Sequence, residues 1–263
     1  MITIFDYFGY DTPYKQRYKF IKEAGFDGVL LFWSDEFGNK DYKLLPQYAR
    51  EAGLFVENIH TSFESLNSLW LDNLDGKRNV EYLIQCIDDC SNYEIPTMIV
   101  HLTEGSSPPE ATHIGFNRIK LLTDRAERKG INIALENLRR PDYLEYVYAN
   151  VKSDRLKFCF DSGHQNCHPH CKDLDLLSMY GDKLIALHLH DNDGTQDQHM
   201  LPFEGNIKWE NTMKKITSCG YTGATALEIT KNARYEILTC KEFLDLAYER
   251  AKRLNNFRYK GTE

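Results

Sequence analysis

The sequence predicts an α/β protein, a (β/α)8 TIM barrel in a single domain that spans residues 1–263. Three observations predict this fold. Short apolar runs alternate with longer amphipathic segments, the alternation repeats eight times, and no break in composition divides the chain. A length of 263 residues suits one such barrel, which typically takes ~250 residues. A doubly wound open sheet is the alternative, but no glycine-rich dinucleotide loop follows the first run.

The eight predicted strands are apolar runs enriched in the residues that favour extended chain. In chain order they are ITIFDYF (2–8), GVLLFW (28–33), LFVENIH (54–60), TMIVHLT (97–103), INIALEN (131–137), LKFCFDS (156–162), KLIALHLHD (183–191) and ATALEIT (224–230). Amphipathic segments between them predict helices, as at 13–25, 80–93 and 115–130, and a last helical pattern at 241–254 follows the eighth run. Glycine is the usual residue just past a helix end, as at Gly25, Gly53, Gly130 and Gly220.

The composition is that of an ordinary globular protein with an acidic balance. The net charge of −7 argues against nucleic acid as the main partner, because phosphate contacts need clustered Lys and Arg. The N-terminal residues carry no secretory pattern, and no apolar run reaches the ~20 residues of a membrane span. The seven cysteines are odd in number and scattered, which is typical of reduced thiols and predicts a cytoplasmic protein.

Polar residues gather where the predicted strands end, and in a (β/α)8 barrel the chemistry lies at the carboxyl ends of the strands. Six of the nine histidines fall at or just past these ends, and the other three are His113, His168 and His170. The complete set at the strand ends is His60, His101, Glu136, Asp161, His164, His188, His190, Asp197, His199 and Glu228.

Two glutamates in this set, Glu136 and Glu228, lie within predicted strands in the same A-L-E pattern. Buried carboxylates are rare unless they are paired or bound to a metal. Carboxylates together with several imidazoles suit a divalent ion such as Zn or Mn. We therefore expect a divalent metal site at this rim. His188 and His190 are two residues apart on one strand and point to the same face, so the pattern does not choose between them as ligand.

These residues resemble the xylose isomerase-like barrel superfamily, which includes sugar-phosphate isomerases and epimerases as well as endonuclease IV. The resemblance covers nearly the whole chain. It rests on the segments IALEN (133–137), FDSGH (160–164), HLHDNDGTQDQHMLPFEGNIKW (188–209) and ALEIT (226–230), which are specific only in combination.

The isomerase and epimerase branch implies one divalent ion, held by Glu136, Asp161, His188 or His190, and Glu228. It also implies that Glu136 and Glu228 act as catalytic acid and base, through a metal-stabilised enediolate of a sugar or sugar phosphate. The endonuclease IV branch implies up to three zinc ions, with additional ligands at His60, His101, His164, Asp197 and His199. The resemblance therefore implies one to three Zn or Mn ions per chain.

Three functions are compatible with this reading. The first is a metal-dependent sugar isomerase or epimerase, with a small carbohydrate as its partner. The alternative is a zinc phosphodiesterase that acts on abasic DNA, which the acidic charge opposes and which departs from that branch by reading FEG for GEG at 203–205. The third is a barrel with a different reaction, such as a polyol dehydratase. The resemblance leaves open a monomer or a homo-oligomer.

Substrate contacts are expected from aromatic and charged residues close to these motifs. The candidates are Trp33, His164, Arg139, Phe203 and Glu204. Sugar C–H faces pack on aromatic rings, and an arginine can hold a phosphate or a carboxylate. Further cations, Arg140, Lys231 and Arg234, follow the same motifs.

The segment from Cys167 to Cys171 is predicted to be a surface or rim loop and not a zinc finger. Structural zinc needs four ligands at closed spacing, whereas Cys167 and Cys171 are C-x3-C and no second pair follows. Cys86 and Cys90 repeat that spacing inside a helical pattern, where they are expected to face the core.

Overall fold

The computed structural model describes residues 1–35 and 40–259, and its centre is a sheet of eight parallel strands. The strands are β1 (Ile2–Phe5), β2 (Gly28–Trp33), β3 (Phe55–Thr61), β4 (Thr97–Val100), β5 (Asn132–Glu136), β6 (Leu156–Asp161), β7 (Leu184–His188) and β8 (Thr225–Leu227). They pair in the order β7-β6-β5-β4-β3-β2-β1-β8, so each strand lies beside its neighbour in sequence, and β1 also pairs with β8.

The sheet closes between its two outer strands. The N–H of Leu189, just past β7, donates to the carbonyl of Ala226 at 2.9 Å, and the N–H of Glu228 donates to the carbonyl of Leu189 at 3.2 Å. Leu189 and Leu227 form a parallel bridge at this point. The predicted (β/α)8 barrel is therefore confirmed.

Helices connect the strands around the outside. They are α1 (Tyr14–Ala24), α2 (Leu45–Glu51), α3 (Leu74–Asn92), α4 (His113–Lys129), α5 (Asp142–Asn150), α6 (Ser162–Cys167), α7 (Pro169–Lys172), α8 (Leu176–Tyr180), α9 (Trp209–Ser218) and α10 (Cys240–Tyr259). Side chains cap several of them: Asn73 accepts from the N–H of Gly76 and Thr112 from that of Gly115. None of the helices in residues 1–35 and 40–259 is long and apolar enough to cross a bilayer.

Two apolar layers hold the barrel together. The larger one packs the outward faces of the strands against the helices, and it includes Cys86 and Cys90 of α3, as their spacing predicted. The smaller one comprises Ile99, Ala134, Cys159 and Ala186, one residue each from four adjacent strands. Three of these four side chains are small, so they leave space inside the barrel for the polar side chains at the strand ends.

All eight predicted strands are present, but most are shorter at the carboxyl end than predicted. The predicted run 2–8 is strand only over Ile2–Phe5, and 224–230 only over Thr225–Leu227. The extra residues leave the ladder at the rim of the barrel and carry side chains of the candidate site. The glycines at the predicted helix ends, Gly25, Gly53, Gly130 and Gly220, all have positive φ angles between 72° and 109°.

Candidate metal centre

Four strand ends bring three carboxylates and an imidazole to one point. Glu136 ends β5, Asp161 ends β6, His188 ends β7, and Glu228 follows β8, and all four side chains are buried. Nδ1 of His188 lies 2.9 Å from Oε2 of Glu136 and 3.1 Å from Oε2 of Glu228. One donor atom from each of the four lies within 4.8 Å of the others, a spacing that suits a single ion.

A second group shares Glu136. Its Oε2 lies 3.3 Å from Nε2 of His60 at the end of β3 and 3.1 Å from Nε2 of His101, just past β4. Nδ1 of His60 faces the carbonyl of Thr61 at 2.8 Å, which orients the ring so that Nε2 points at the carboxylate.

A third group lies on the other side of Glu136 and comprises His164, His190, Asp197 and His199. Oδ2 of Asp197 is 3.1 Å from Nε2 of His164 and 3.3 Å from Nε2 of His199. His164 also approaches Oε1 of Glu136 at 3.0 Å through Nδ1. The structure therefore brings all ten predicted metal ligands into one cluster. It places His188 in the first group and His190 in the third.

Many polar atoms of this cluster lack a hydrogen bond. Among the described residues, the buried atoms without one include Oε1 of Glu136, Oε2 of Glu228 and both ring nitrogens of His188. Natural proteins rarely leave buried polar atoms unpaired. Nitrogen and oxygen atoms that converge at about hydrogen-bond distance, yet do not bond, fit a divalent ion as their common partner.

The electrostatics also favour bound cations. Burial acts to raise the pKa of Glu228, but the neighbouring His188 outweighs it and holds the pKa at about 2. Burial acts to lower the pKa of His199, whereas its contact with Asp197 raises that pKa to about 9. Glu228 thus remains ionised, and the contact with Asp197 favours a proton on His199, which a metal ion would displace on binding.

Two residues that support the cluster were not among the predicted site residues. Asn137 joins β5 to β6, because its amide donates to the carbonyl of Asp161 at 2.9 Å and accepts from the Asp161 N–H at 2.8 Å. Asp191 accepts from the backbone N–H groups of Phe203 and Ile207 and from Nε1 of Trp209. Their positions in the sequence could have indicated them, because Asn137 directly follows the A-L-E pattern and Asp191 is the last residue of HLHD.

Three of the five predicted substrate contacts do not lie at the cluster. Trp33 is buried, and its Nε1 donates to Asp89 at 3.1 Å. Phe203 turns outward, with a φ of 75°, and the guanidinium of Arg253 lies 3.8 Å from its ring centre. Glu204 accepts from the hydroxyl of Tyr235 at 2.5 Å. Packing against the outer helices, which a strand-end pattern does not encode, takes these side chains away from the barrel mouth.

The other two predicted contacts, His164 and Arg139, line a cavity of about 190 Å³ above the cluster. Phe63 and Glu104 line it too, as does His168. His101 of the second group and Asp197 of the third form part of its wall, so the cavity borders both groups.

The prediction of a loop at 167–171 was wrong. Cys167 ends α6, and His170 and Cys171 lie in the short helix α7. The ring of His168 is buried and stacks on that of His164 at 5.0 Å, while Cys171 donates to the carbonyl of Leu138 at 3.0 Å. Cys167, Cys171 and His168 therefore support the wall of the cavity, and none of the three belongs to a group of potential metal ligands in the described residues.

Comparison with known proteins decides the family. The model of the xylose isomerase-like TIM barrel family matches residues 18–245. The chain belongs to this family. It is similar to the fructoselysine 3-epimerase of Shigella flexneri, with 30% identity over 249 residues that cover 82% of this chain and 85% of that protein. It is also similar to the probable endonuclease 4 of Mycoplasma mycoides subsp. mycoides, with 26% identity over 61% of each chain.

Solved structures agree on the fold. A D-tagatose 3-epimerase-like protein superposes with a TM-score of 0.74 at 22% identity, over 97% of this chain and 96% of that one. At this identity, the likeness shows the barrel alone, and the activity has to be argued from the site.

Proposed function

We propose that this protein is a divalent-metal-dependent isomerase or epimerase of a sugar or sugar phosphate. The observation that carries the proposal is the pair Glu136 and Glu228, whose carboxylates flank Nδ1 of His188 at 2.9 and 3.1 Å. Two buried carboxylates on either side of a metal position are what a proton transfer at a carbon next to a carbonyl requires. The named epimerase among the relatives supports the same class of reaction.

Glu136, Asp161, His188 and Glu228 would hold the ion of this reaction. When bound, the ion supplies Lewis-acid polarisation of a substrate carbonyl and its neighbouring hydroxyl. One glutamate then removes the carbon-bound proton, and the other returns a proton to the opposite face of the carbon, or to the adjacent carbon in an isomerisation. His164, at the floor of the cavity, would contact the substrate's hydroxyl groups.

Exchange of carbon-bound hydrogen with solvent tests this proposal. The protein, saturated with Mn²⁺ or Zn²⁺, is incubated with ketoses and ketose phosphates in D2O, and deuterium in the sugar is followed by NMR. We expect exchange at one carbon next to the carbonyl, and its loss after chelation. No exchange with any ketose, by protein shown to contain metal, would overturn the proposal.

A second candidate is a zinc phosphodiesterase that cleaves abasic DNA. It is favoured by the second and third ligand groups, which add His60, His101, His164, Asp197 and His199 to the ligands a single ion needs. Three adjacent ions can activate a water and stabilise the leaving oxygen. The net charge of −7 opposes it. Cleavage of a duplex with one abasic site, by the Zn-loaded protein at physiological salt, would establish it; an intact duplex would exclude it.

A further inference from the structure

We propose that the cavity above the metal cluster recognises a zwitterion, namely a substrate whose sugar carries a side arm with both a carboxylate and an ammonium group. This inference rests on the proposed function, because it assigns the reacting sugar to the metal cluster and the side arm to the cavity. Arg139 and Glu104 would be the two specificity-determining residues.

Arg139 differs from the other basic residues that follow the motifs. Arg140 is held by a bidentate contact with Asp142, at 2.9 and 2.7 Å. The ammonium of Lys231 lies 4.7 Å from the ring centre of Tyr10, and Arg234 extends toward the carbonyl of Glu204. Arg139 lines the cavity instead, and its side chain has no hydrogen bond or ion pair with any residue in 1–35 or 40–259.

Glu104 presents the opposite charge to the same cavity. Its backbone is fixed, because the amide of Asn67 donates to its carbonyl at 3.0 Å and accepts from its N–H at 3.0 Å. Its carboxylate is half-buried and has no hydrogen bond or ion pair within the described part of the chain. A half-buried carboxylate on an anchored backbone, with no partner in the described chain, can accept a hydrogen bond from a cationic or hydroxyl-bearing ligand group.

The two charges also decide between ligand classes. They share a cavity of about 190 Å³ and still form no ion pair with each other, so each stays available to a ligand. A phosphate would satisfy Arg139 but would bring its double negative charge close to Glu104 and Asp197, which line the same space. A carboxylate and an ammonium on one side arm match both signs at once.

Phe63 gives the cavity an apolar side, on which the arm would pack between the sugar and the charged end. The ring of Phe63 is 39% exposed, and it stacks on Phe32 at a centroid distance of 5.2 Å. The same ring lies 4.8 Å from that of His60, so it joins the cavity to the metal cluster. A methylene chain that leaves the sugar can therefore pack on Phe63 while its charged end reaches Arg139 and Glu104.

Four matched ligands test the inference. In each ligand, C1 of fructose is bonded to an amine nitrogen. That nitrogen belongs to hexylamine, 6-aminohexanoate, 1,6-diaminohexane or the side chain of lysine. Their arms carry no distal charge, a carboxylate, an ammonium, or both. Dissociation constants are measured by calorimetry on the metal-loaded protein. We expect the lysine conjugate to bind at least about tenfold more tightly than the hexylamine conjugate, since a charge-assisted contact is typically worth that much.

The variants separate recognition from damage to the fold. Arg139→Gln should remove the advantage of the carboxylate-bearing arms, and Glu104→Gln that of the ammonium-bearing arms, while Arg140→Gln leaves the order unchanged. Equal binding of all four ligands by the unaltered protein would overturn the inference, as would a variant that weakens all four equally. Binding in the expected order without any hydrogen exchange would refute the proposed reaction alone, and exchange without that order would refute this inference alone.

Discussion

The loop after β7 and the cluster of candidate metal ligands both bury carboxylates, but protein donors satisfy the carboxylate only in the loop. Asp191, at the base of the loop, is fully buried and accepts from four donors, two on each oxygen, at 2.8 to 3.2 Å. Glu136 and Glu228 are as deeply buried, yet each has an oxygen with no hydrogen bond. Burial of an acid therefore does not by itself indicate chemistry. The difference lies in whether protein donors satisfy it.

Asp6 extends this comparison to the opposite side of the barrel. It is buried at the end of β1 and accepts from the hydroxyl of Tyr18 at 2.7 Å and from the N–H of Phe32 at 2.8 Å. The rim around it is aromatic, with Phe5, Tyr7 and Phe32 in mutual contact. Protein donors thus satisfy the buried acid at β1, whereas the candidate metal ligands lie at the ends of β3 to β8 and in the loop after β7.

The largest expected effect comes from removing a charge among the candidate metal ligands. Glu228→Gln keeps the shape of the side chain but cannot take up a proton, so turnover should fall by about 10² to 10⁴-fold. Stability of the metal-free protein should fall as well, because the neutral amide loses the attraction to His188 that holds the pKa of Glu228 at about 2. Rates of hydrogen exchange and urea unfolding measure the two quantities.

Glu57→Gln is the matched control for that variant. Glu57 is a strand glutamate whose Oε2 accepts from the hydroxyl of Thr3 at 2.5 Å, and it is outside the ligand groups of the described residues. We expect its turnover to remain within about twofold of the unaltered protein, in line with a residue that does not contact substrate. Full activity in Glu228→Gln, or an equal loss in Glu57→Gln, would contradict the assigned roles.

The next largest effect is a loss of stability on substitution of Asp191, whose carboxylate is fully hydrogen-bonded. Asp191→Asn keeps one acceptor oxygen and turns an NH2 group toward two donors, so it should lower the free energy of unfolding by about 3 kcal/mol. Activity should fall as well, because Asp191 holds the end of the loop that carries Asp197 and His199. Urea denaturation followed by circular dichroism measures the loss. An unchanged midpoint would show that the two lost hydrogen bonds contribute nothing net.

Metal removal should destabilise the protein, and the size of this effect should depend on Glu136 and Glu228. An ion at 100 times its dissociation constant stabilises the folded state by about 2.7 kcal/mol. A chelator should therefore lower the Tm, and restored Zn²⁺ or Mn²⁺ should raise it again. In a Glu136→Gln, Glu228→Gln double variant the shift should be smaller. An identical shift in that variant would place the stabilising ion elsewhere.

The smallest effect is expected at the cysteines beside the cavity. Cys171→Ser keeps a donor to the carbonyl of Leu138, so stability should change by less than about 1 kcal/mol. The metal content per chain should not change, since Cys171 belongs to no ligand group within the described residues. Elemental analysis of the purified variant checks this. The loss of one zinc ion per chain would show that Cys171 binds metal, against the prediction that this segment is not a zinc finger.

The pattern of polar residues at strand ends predicted the fold and the composition of the cluster. Parallel strands present their carboxyl ends at one rim, so the position of Glu136 or His60 in a strand is enough to place it. Loop residues have no such rule. Phe203 and Glu204 were expected at the substrate, but contacts with Arg253 and Tyr235 turn them outward. His168, expected in a rim loop, is buried because it stacks on His164.

The strand pattern also could not predict whether His188 or His190 belongs with Glu136 and Glu228. Both side chains point to one face of the strand, and only the distances to Glu136, Glu228 and Asp161 assign them to different groups. Those distances depend on the positions of β6 and β8 around the closed barrel, and a pattern within one strand does not contain them.

We propose above that Glu136, Asp161, His188 and Glu228 hold a divalent ion. Elemental analysis of protein purified without chelator or histidine tag tests it most directly. We expect at least one Zn or Mn per chain in the unaltered protein and a reduced content in the Glu136→Gln, Glu228→Gln double variant. Two or three ions per chain would mean that the second and third groups are also filled. A chain that retains no ion after incubation with excess Zn²⁺ and Mn²⁺ would contradict the account.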